Sequence, residues 1–297
     1  QAQAEAATMI KLTDKQAVAD LLDGVDLFLF DCDGVLWLEN HLIPGAKELL
    51  RLLKEKGKKA LFVTNNSTKS REQYGKKFAD LGLDVPDKTC IYSSSYAAAA
   101  YLANTRPAKK DVYVVGESGL CAELQAAGFT CHGAEADKEW CGMQEASGMT
   151  LNPDVGAVVI GFDIHINYKK LALAQGYLSD PNCQFIATNT DSTFPTAKRM
   201  MPGGGTMVAA LSTCAQRDPI VVGKPSAFFL DLIVQEHHVS KERVLMIGDR
   251  LDTDILFGNN TGVRTLMVLT GISTEAEVET TGIRPTYCVP SVADLVV

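Results

Sequence analysis

The sequence predicts a parallel α/β fold in two domains, one inserted into the other. Three observations carry that expectation. Eight short apolar runs end in polar or glycine-containing tips: DLFLFDCD, KKALFVTNN, DVYVVGES, VGAVVIGFD, CQFIATNTD, DPIVVGKP, RVLMIGDR and RTLMVLTG. Each is continuous rather than alternating, as a strand covered on both faces requires. Helical signatures lie between several of these runs, and strand–helix alternation specifies a parallel sheet. Finally, 297 residues exceed one ordinary core and suit two domains at roughly 100 to 200 residues each.

Taken in order, the N-terminal QAQAEAATMIKL has neither the basic start nor the apolar core of a secretory signal. It reads equally as the remnant of an organellar transit peptide or as an arbitrary chain boundary. After the first strand run, Pro44 opens a helix in which Leu49, Leu50, Leu52 and Leu53 form an apolar stripe and which Gly57 closes. Ser70 and Ser226 are expected N-caps for REQYGKKFADLG and AFFLDLIVQEHH. The segment SSSYAAAAYLANTRPAKKD begins as a helix and ends in a polar, proline-containing link. A second α/β pattern then runs until QRDPIVVGKP, where the chain is expected to return to the first domain. The expected boundaries are therefore residues 1–104 with 220–297 for the core, and 105–219 for the insertion.

Composition narrows the function. A net charge of −8 without a basic cluster argues against a nucleic-acid or anionic-membrane surface. No apolar run approaches the roughly 20 residues that cross a bilayer. The eight cysteines include no C-x-x-C pair, which argues against a zinc site and for reduced thiols. GKPS at 223–226 fails as a nucleotide P-loop, because Asp218 stands at the first glycine position and Pro225 follows the lysine. No cysteine has an arginine six positions later, so a thiolate phosphatase lacks its motif. The GGG at 203–205 is expected to permit a tight turn in the insertion.

In an open parallel sheet, ligands bind beyond the carboxyl ends of the strands. The tips here carry Asp31 and Asp33, then Thr64 with Asn65 and Asn66, then Lys224, then Asp249 with Asp254. Converging carboxylates need a cation, and hard oxygen ligands of this kind suit Mg²⁺. A metal would keep Asp31 ionised and leave it able to attack phosphorus, a known route for carboxylates. Asp33 would protonate the leaving alkoxide and later deprotonate water. Lys224, Thr64 and backbone N–H groups after Asp31 would hold the phosphoryl oxygens, with Gly34 letting the backbone approach.

DCDGVLW, FVTNNS, VVGKPS and IGDRLDTD resemble, in order, the four motifs of the haloacid-dehalogenase phosphatase superfamily. STKSREQYGKKF, GFD-x-H-x-x-Y, ATNTD, PGGG and GDRLDTDILFG extend the resemblance to the branch of phosphoglycolate and pyridoxal phosphatases, and within it to the plant and algal 2-phosphoglycolate phosphatases. The resemblance implies a Rossmann-like core with an inserted C2-type α/β cap. It implies Asp31 as nucleophile and Asp33 as acid/base. Mg²⁺ would be bound by Asp31, the Asp33 carbonyl and Asp249, with Asp254 behind them, and phosphate by Thr64, Asn65 and Lys224. The expected reaction is hydrolysis of 2-phosphoglycolate, in a chloroplast stroma or alternatively the cytoplasm. Pyridoxal 5′-phosphate or another small phosphate ester is the alternative substrate. Phe194 stands where pyridoxal phosphatases have histidine. A phosphate-binding protein without turnover is the non-enzymatic alternative. The expected partner is a small phosphorylated metabolite, and the branch allows a homodimer through the cap.

Some candidates keep a structural alternative. Asn66 serves either phosphate or its own turn, and Asp252 reads as a helix-capping residue. Lys198 and Arg199 either face solvent or meet a substrate carboxylate, for which Arg199 offers bidentate geometry.

Overall fold

The computed structural model describes residues 9–84, 87–196 and 198–297; residues 1–8, on which the transit-peptide expectation mainly rests, lie outside the described residues. The chain packs as two compact units. One comprises Gln1–Thr64, Phe78–Ile91 and Lys224–Val297, the other Asn65–Lys77 and Tyr92–Gly223. Among the described residues no helix is long and apolar enough to cross a membrane.

The first unit is built on a seven-stranded sheet. Its order is Ile10–Lys11, Tyr287–Val289, Arg264–Val268, Val244–Gly248, Leu27–Phe30, Lys59–Thr64, Ile91–Ser93. The described pairings are parallel. All four residues of Leu27–Phe30 are buried, which is why that run shows no alternation. Phe62 and Phe78 meet tilted by 58° at 4.5 Å and Trp37 meets Phe78 edge-on at 4.9 Å, a spacing at which aromatic pairs attract beyond their area. The helix Ala46–Glu55 buries Leu49 and Leu53 and leaves Leu50 and Leu52 at the margin of the stripe. Replacing Leu53 by Ala would cost about 2–5 kcal/mol. Ser70 caps the following helix as expected, its Oγ accepting from Gln73 N at 3.2 Å while Gln73 Oε1 accepts from Ser70 N. Ser226 occupies the cap position before Ala227–His237, but its side chain makes no capping bond.

The chain leaves Leu27–Phe30 towards Lys59–Thr64 on one side and returns as Val244–Gly248 on the other. This reversal opens a crevice at the carboxyl end of Leu27–Phe30, the usual ligand position in such sheets.

The second unit has its own parallel sheet, ordered Ile220–Val221, Gln184–Ala187, Val155–Ile160, Asp111–Val115, Thr130–Gly133. Val158, Ile160 and Phe185 pack with Leu173, Leu178 and Leu211 from the helices Tyr168–Leu178 and Gly204–Ala215. A hairpin, Thr193–Pro195 with Met200–Pro202, stands apart from this sheet.

Packing moves the domain boundaries away from those expected. DPIVVGKP does not return the chain to the first unit: Ile220 pairs with Ile186 as an edge strand, and the first unit resumes only at Lys224. Asn65–Lys77 and the helix Ser94–Thr105 also join the second unit, although the pattern placed both in the core. Polar contacts are the reason. Ser94 Oγ donates to Asn65 O at 2.7 Å and Ser95 Oγ to Ser67 O at 2.8 Å. Glu123 takes Arg71 N at 2.6 Å and Arg71 Nε at 3.1 Å, and the Arg71 guanidinium lies 3.6 Å above the Tyr96 ring. Hydrophobic periodicity cannot register such bonds. The GGG triplet also differs from expectation. It opens the helix Gly204–Ala215 rather than making a tight turn, and a Cβ at Gly203 would lie 2.2 Å from Asp191 O.

Candidate active site

Asp31 stands immediately beyond the buried Leu27–Phe30, and its backbone N–H continues the ladder to Ile247 O at 2.9 Å. Its side chain is fixed by Lys224. The Lys224 ammonium, 1% exposed, donates to Asp31 Oδ1 at 2.5 Å, to Asp254 Oδ1 at 2.7 Å and to Val63 O at 2.8 Å. These three acceptors match the three N–H donors of the ammonium. Thr64 ends the adjacent strand and is buried, and since Phe30 pairs with Phe62 it emerges at the same edge as Asp31.

Asp249 and Asp254 come from the loop after Val244–Gly248, on the other side of Asp31. The loop winds as a π-type turn over Leu251–Ile255, a wide turn often found at functional sites. Asp254 Oδ2 accepts from the Asp249 and Arg250 amides, each at 3.2 Å, so both its oxygens are engaged in holding Lys224 and the loop. Asp249 Oδ2 accepts from Ile272 N at 2.8 Å, and Asp249 O from Ser273 N at 3.0 Å. Carboxylate oxygens of Asp31, Asp249 and Asp254 all lie within 4.8 Å of one another.

This cluster is short of positive charge. Three buried carboxylates face one ammonium, leaving a formal charge of −2 if all are ionised. Burial raises Asp31 well above the ordinary carboxylate range; Lys224 opposes the rise, and the Asp254 and Asp249 charges reinforce it. Burial, then the Asp254 charge, push Asp249 up to about 7. Lys224 is raised despite its burial, because Asp254 and Asp31 favour its charged form. An all-oxygen donor set that lacks a counter-charge fits a hard divalent cation, Mg²⁺ above all in a site meant also for phosphate oxygens.

Asp33 is half-buried, and its Oδ1 accepts from the Trp37 indole N–H at 2.9 Å. The turn between them is closed by Gly34 N to Trp37 O at 2.8 Å and Leu36 N to Cys32 O at 2.9 Å. The Gly34 amide is therefore spent inside the turn and does not serve phosphate. Gly34 has φ +88°, and a Cβ there would lie 2.5 Å from Asp249 Oδ2. Both the left-handed backbone and the carboxylate contact require glycine.

The remaining sequence candidates, apart from Asp252 in the first unit, lie in the second unit. Asn65 Nδ2 donates to Asp191 at 3.1 and 3.3 Å. Asn66 Oδ1 accepts from Thr68 N at 3.0 Å and Thr68 Oγ1 at 2.7 Å, the turn-shaping alternative. Arg199 is exposed on the hairpin, where its backbone closes a turn with Thr196. Asp252 does not cap a helix but pairs with Arg250 at 2.6 Å. Phe194 packs edge-on against Phe162 at 5.5 Å.

Sequence reasoning missed the TGIS segment, 270–273. Thr270 Oγ1 donates to Gly34 O at 2.5 Å, and Ser273 Oγ accepts from Leu251 N at 3.1 Å. A Cβ at Gly271 would lie 1.8 Å from Asp249 Oδ2. The available signal was the tip of RTLMVLTG, one strand beyond Asp249, whose service is by backbone and hydroxyl groups rather than charge.

Residues 28–130 match the family described as haloacid dehalogenase-like hydrolase, and residues 221–295 match HAD-hydrolase-like. Phosphoglycolate phosphatase 1A, chloroplastic, of Arabidopsis thaliana is 46% identical over 92% of this chain and 77% of its own length. The chain belongs to the haloacid dehalogenase-like hydrolases. Its relatives are phosphatases of that family: human glycerol-3-phosphate phosphatase is 40% identical over 97% of this chain and 95% of its own. Among solved structures, 4-nitrophenylphosphatase of Thermotoga maritima superposes with a TM-score of 0.79 at 32% identity, covering 93% of this chain and 98% of that one. Glycerol phosphate phosphatase of Mycobacterium tuberculosis in complex with magnesium gives 0.78 at 29% identity, covering 93% and 77%. The two-unit α/β haloacid dehalogenase-like fold is thus shared along nearly the whole chain.

Proposed function

We propose that this haloacid dehalogenase-like hydrolase is a Mg²⁺-dependent phosphomonoesterase that hydrolyses 2-phosphoglycolate to glycolate and phosphate. The observation that carries the chemistry is the buried ammonium of Lys224, shared between Asp31 and Asp254 with Asp249 alongside. It holds one oxygen of Asp31 and leaves the other for attack.

Asp31 and Asp249, with the Asp33 carbonyl, would hold Mg²⁺. When bound, the cation keeps the carboxylates ionised and neutralises phosphoryl charge. Asp31 then forms the bond to phosphorus as the ester oxygen leaves, and Asp33 supplies that oxygen with a proton. Asp33, now a base, takes a proton from water as the water attacks phosphorus and Asp31 is released. Trp37 steadies Asp33 by its indole N–H. Lys224 binds a phosphoryl oxygen by giving up one of the three acceptors it holds in the substrate-free site, Thr64 binds another, and Asp254 keeps Lys224 in place. Assignment of Asn65 to phosphate and Arg199 to the substrate carboxylate belongs to the same proposal.

The choice of 2-phosphoglycolate rests on the 46% identity to the Arabidopsis enzyme, against 40% to human glycerol-3-phosphate phosphatase. The same likeness supports a chloroplast location, with the cytoplasm as the alternative. Specificity constants for 2-phosphoglycolate, glycerol 3-phosphate and pyridoxal 5′-phosphate, with and without Mg²⁺, test both halves. A preference for 2-phosphoglycolate that vanishes with EDTA is expected. A preference for either competitor overturns the substrate, and Mg²⁺-independent turnover overturns the metal role. Asp31→Asn abolishes turnover; retained turnover or a persisting phosphorylated enzyme would rule out Asp31 as nucleophile.

A further inference from the structure

Two motifs of the second unit, ATNTD at 187–191 and PGGG at 202–205, have no part in the hydrolysis described above. Both converge on Asn65. ATNTD turns away from the end of the strand Gln184–Ala187, and Asn189 Oδ1 accepts from Asp191 N at 3.1 Å, which fixes the turn. Behind the turn, Gly205 N donates to Asp191 O at 2.9 Å, and a Cβ at Gly205 would lie 2.3 Å from Thr190 O. The glycines of PGGG therefore let the start of the helix Gly204–Ala215 lie directly against Asp191.

Asn65 is seated in this turn by its main chain and by its side chain. Its carbonyl oxygen accepts from Asn189 Nδ2 and from Ser94 Oγ, both at 2.7 Å, and Asn189 and Ser94 are buried. Its Nδ2 donates to Asp191 Oδ1 at 3.1 Å and to Asp191 Oδ2 at 3.3 Å. Gly223 closes the seat, since a Cβ there would lie 2.7 Å from Asn65 Oδ1.

We propose that Asp191 is a positioning residue for phosphate that acts through Asn65, an inference that rests on the phosphatase reading above and on the place of Asn65 in it. An ionised carboxylate only accepts hydrogen bonds, so Asp191 pairs with the N–H edge of the Asn65 amide and sets which way that amide faces. Phosphate oxygens also only accept. The amide carries two N–H groups, one of which serves Asp191 while the other is held for phosphate. Without Asp191 the amide loses the acceptor that distinguishes its two ends, and a turned amide presents Oδ1 to phosphate. The bonds from Asn189 and Ser94 still hold the main chain, so loss of Asp191 releases the amide and leaves the chain after Thr64 in place.

The test is calorimetric binding of inorganic phosphate to the full chain in Mg²⁺, together with steady-state hydrolysis of 4-nitrophenyl phosphate, neither of which depends on 2-phosphoglycolate as substrate. Asp191→Ala is expected to weaken phosphate binding and raise KM by about tenfold, the scale of one hydrogen bond to a charged group, with kcat within about twofold of wild type. Asp191→Asn keeps an acceptor oxygen and is expected to recover most of the loss. Asn65→Ala is expected to weaken binding as much as Asp191→Ala, and the double variant no further, because Asp191 acts only through that amide. Asp191→Ser, too short to reach Nδ2, gives the same reading should the alanine variant not fold. Additive losses in the double variant, wild-type phosphate affinity in Asp191→Ala, a fall in kcat at unchanged KM, or no recovery in Asp191→Asn would overturn the proposal. A wild-type chain that neither binds phosphate nor hydrolyses the ester would instead overturn the phosphatase reading itself.

Discussion

Replacing Lys224 by Met removes one charge from the centre of the first unit while keeping most of the side-chain volume. The ammonium now donates to Asp31, Asp254 and Val63 O, and it is almost entirely buried. In the variant two buried carboxylates lose their counter-charge. Breaking a buried ion pair by deleting one partner costs about 3–5 kcal/mol. That loss is expected at pH 7.5 in EDTA. It shrinks as pH falls, because the orphaned carboxylates take up protons more readily than in wild type. The relief is up to about 1.4 kcal/mol per pH unit for each extra proton bound. At pH 5.5 the expected loss is therefore roughly half that at pH 7.5. Urea unfolding followed by Trp37 fluorescence measures it, in a Trp140→Phe background because Trp140 is 78% exposed in the second unit. A loss below about 1 kcal/mol at pH 7.5, or one independent of pH, would refute the buried-charge reasoning.

Other consequences follow from the same site. Burial raises Asp31 and Asp249, so the cation-free folded state binds protons that the unfolded chain, with Asp near 3.9, has already released. Its Tm is expected to fall as pH rises from 5 towards 8, and Mg²⁺ to suppress that fall; a Tm rising over this range in EDTA would contradict it. Calorimetry in buffers of different ionisation enthalpy should show Mg²⁺ binding release protons, more at pH 6.5 than at pH 8.5. Gly271→Ala drives a methyl into Asp249 Oδ2, and should weaken Mg²⁺ binding at least about tenfold, a 1.4 kcal/mol effect. Trp37→Phe removes the donor to Asp33 but keeps an aromatic beside Phe78, so kcat should fall with little change in KM.

How much was legible depended on whether a residue acts through its type or through its packing. All eight continuous apolar runs are strands, since burial on both faces writes itself directly into composition. Asp31, Lys224, Asp249 and Asp254 were found because strand tips of a parallel sheet converge and charged residues at tips are conspicuous. Ile220–Val221 was assigned to the wrong sheet because an apolar run carries no label for its partner. The boundary at Asn65 was missed because hydroxyl-to-carbonyl bonds from Ser94 and Ser95 have no periodicity. Thr270, Gly271 and Ile272 escaped notice because their service to Gly34 and Asp249 uses a hydroxyl, an absent side chain and a backbone amide.

Asp31 as the attacking group is the central claim, and trapping it tests that claim most directly. The enzyme is mixed with 2-phosphoglycolate and Mg²⁺, acid-quenched in the first turnover, reduced with borohydride and digested. An acyl phosphate at Asp31 would be converted to homoserine in the peptide carrying LFLFDCDGVLW, and omission of Mg²⁺ or substrate would abolish the conversion. Unmodified Asp31 during demonstrated phosphate release, or homoserine at another aspartate, would contradict the account.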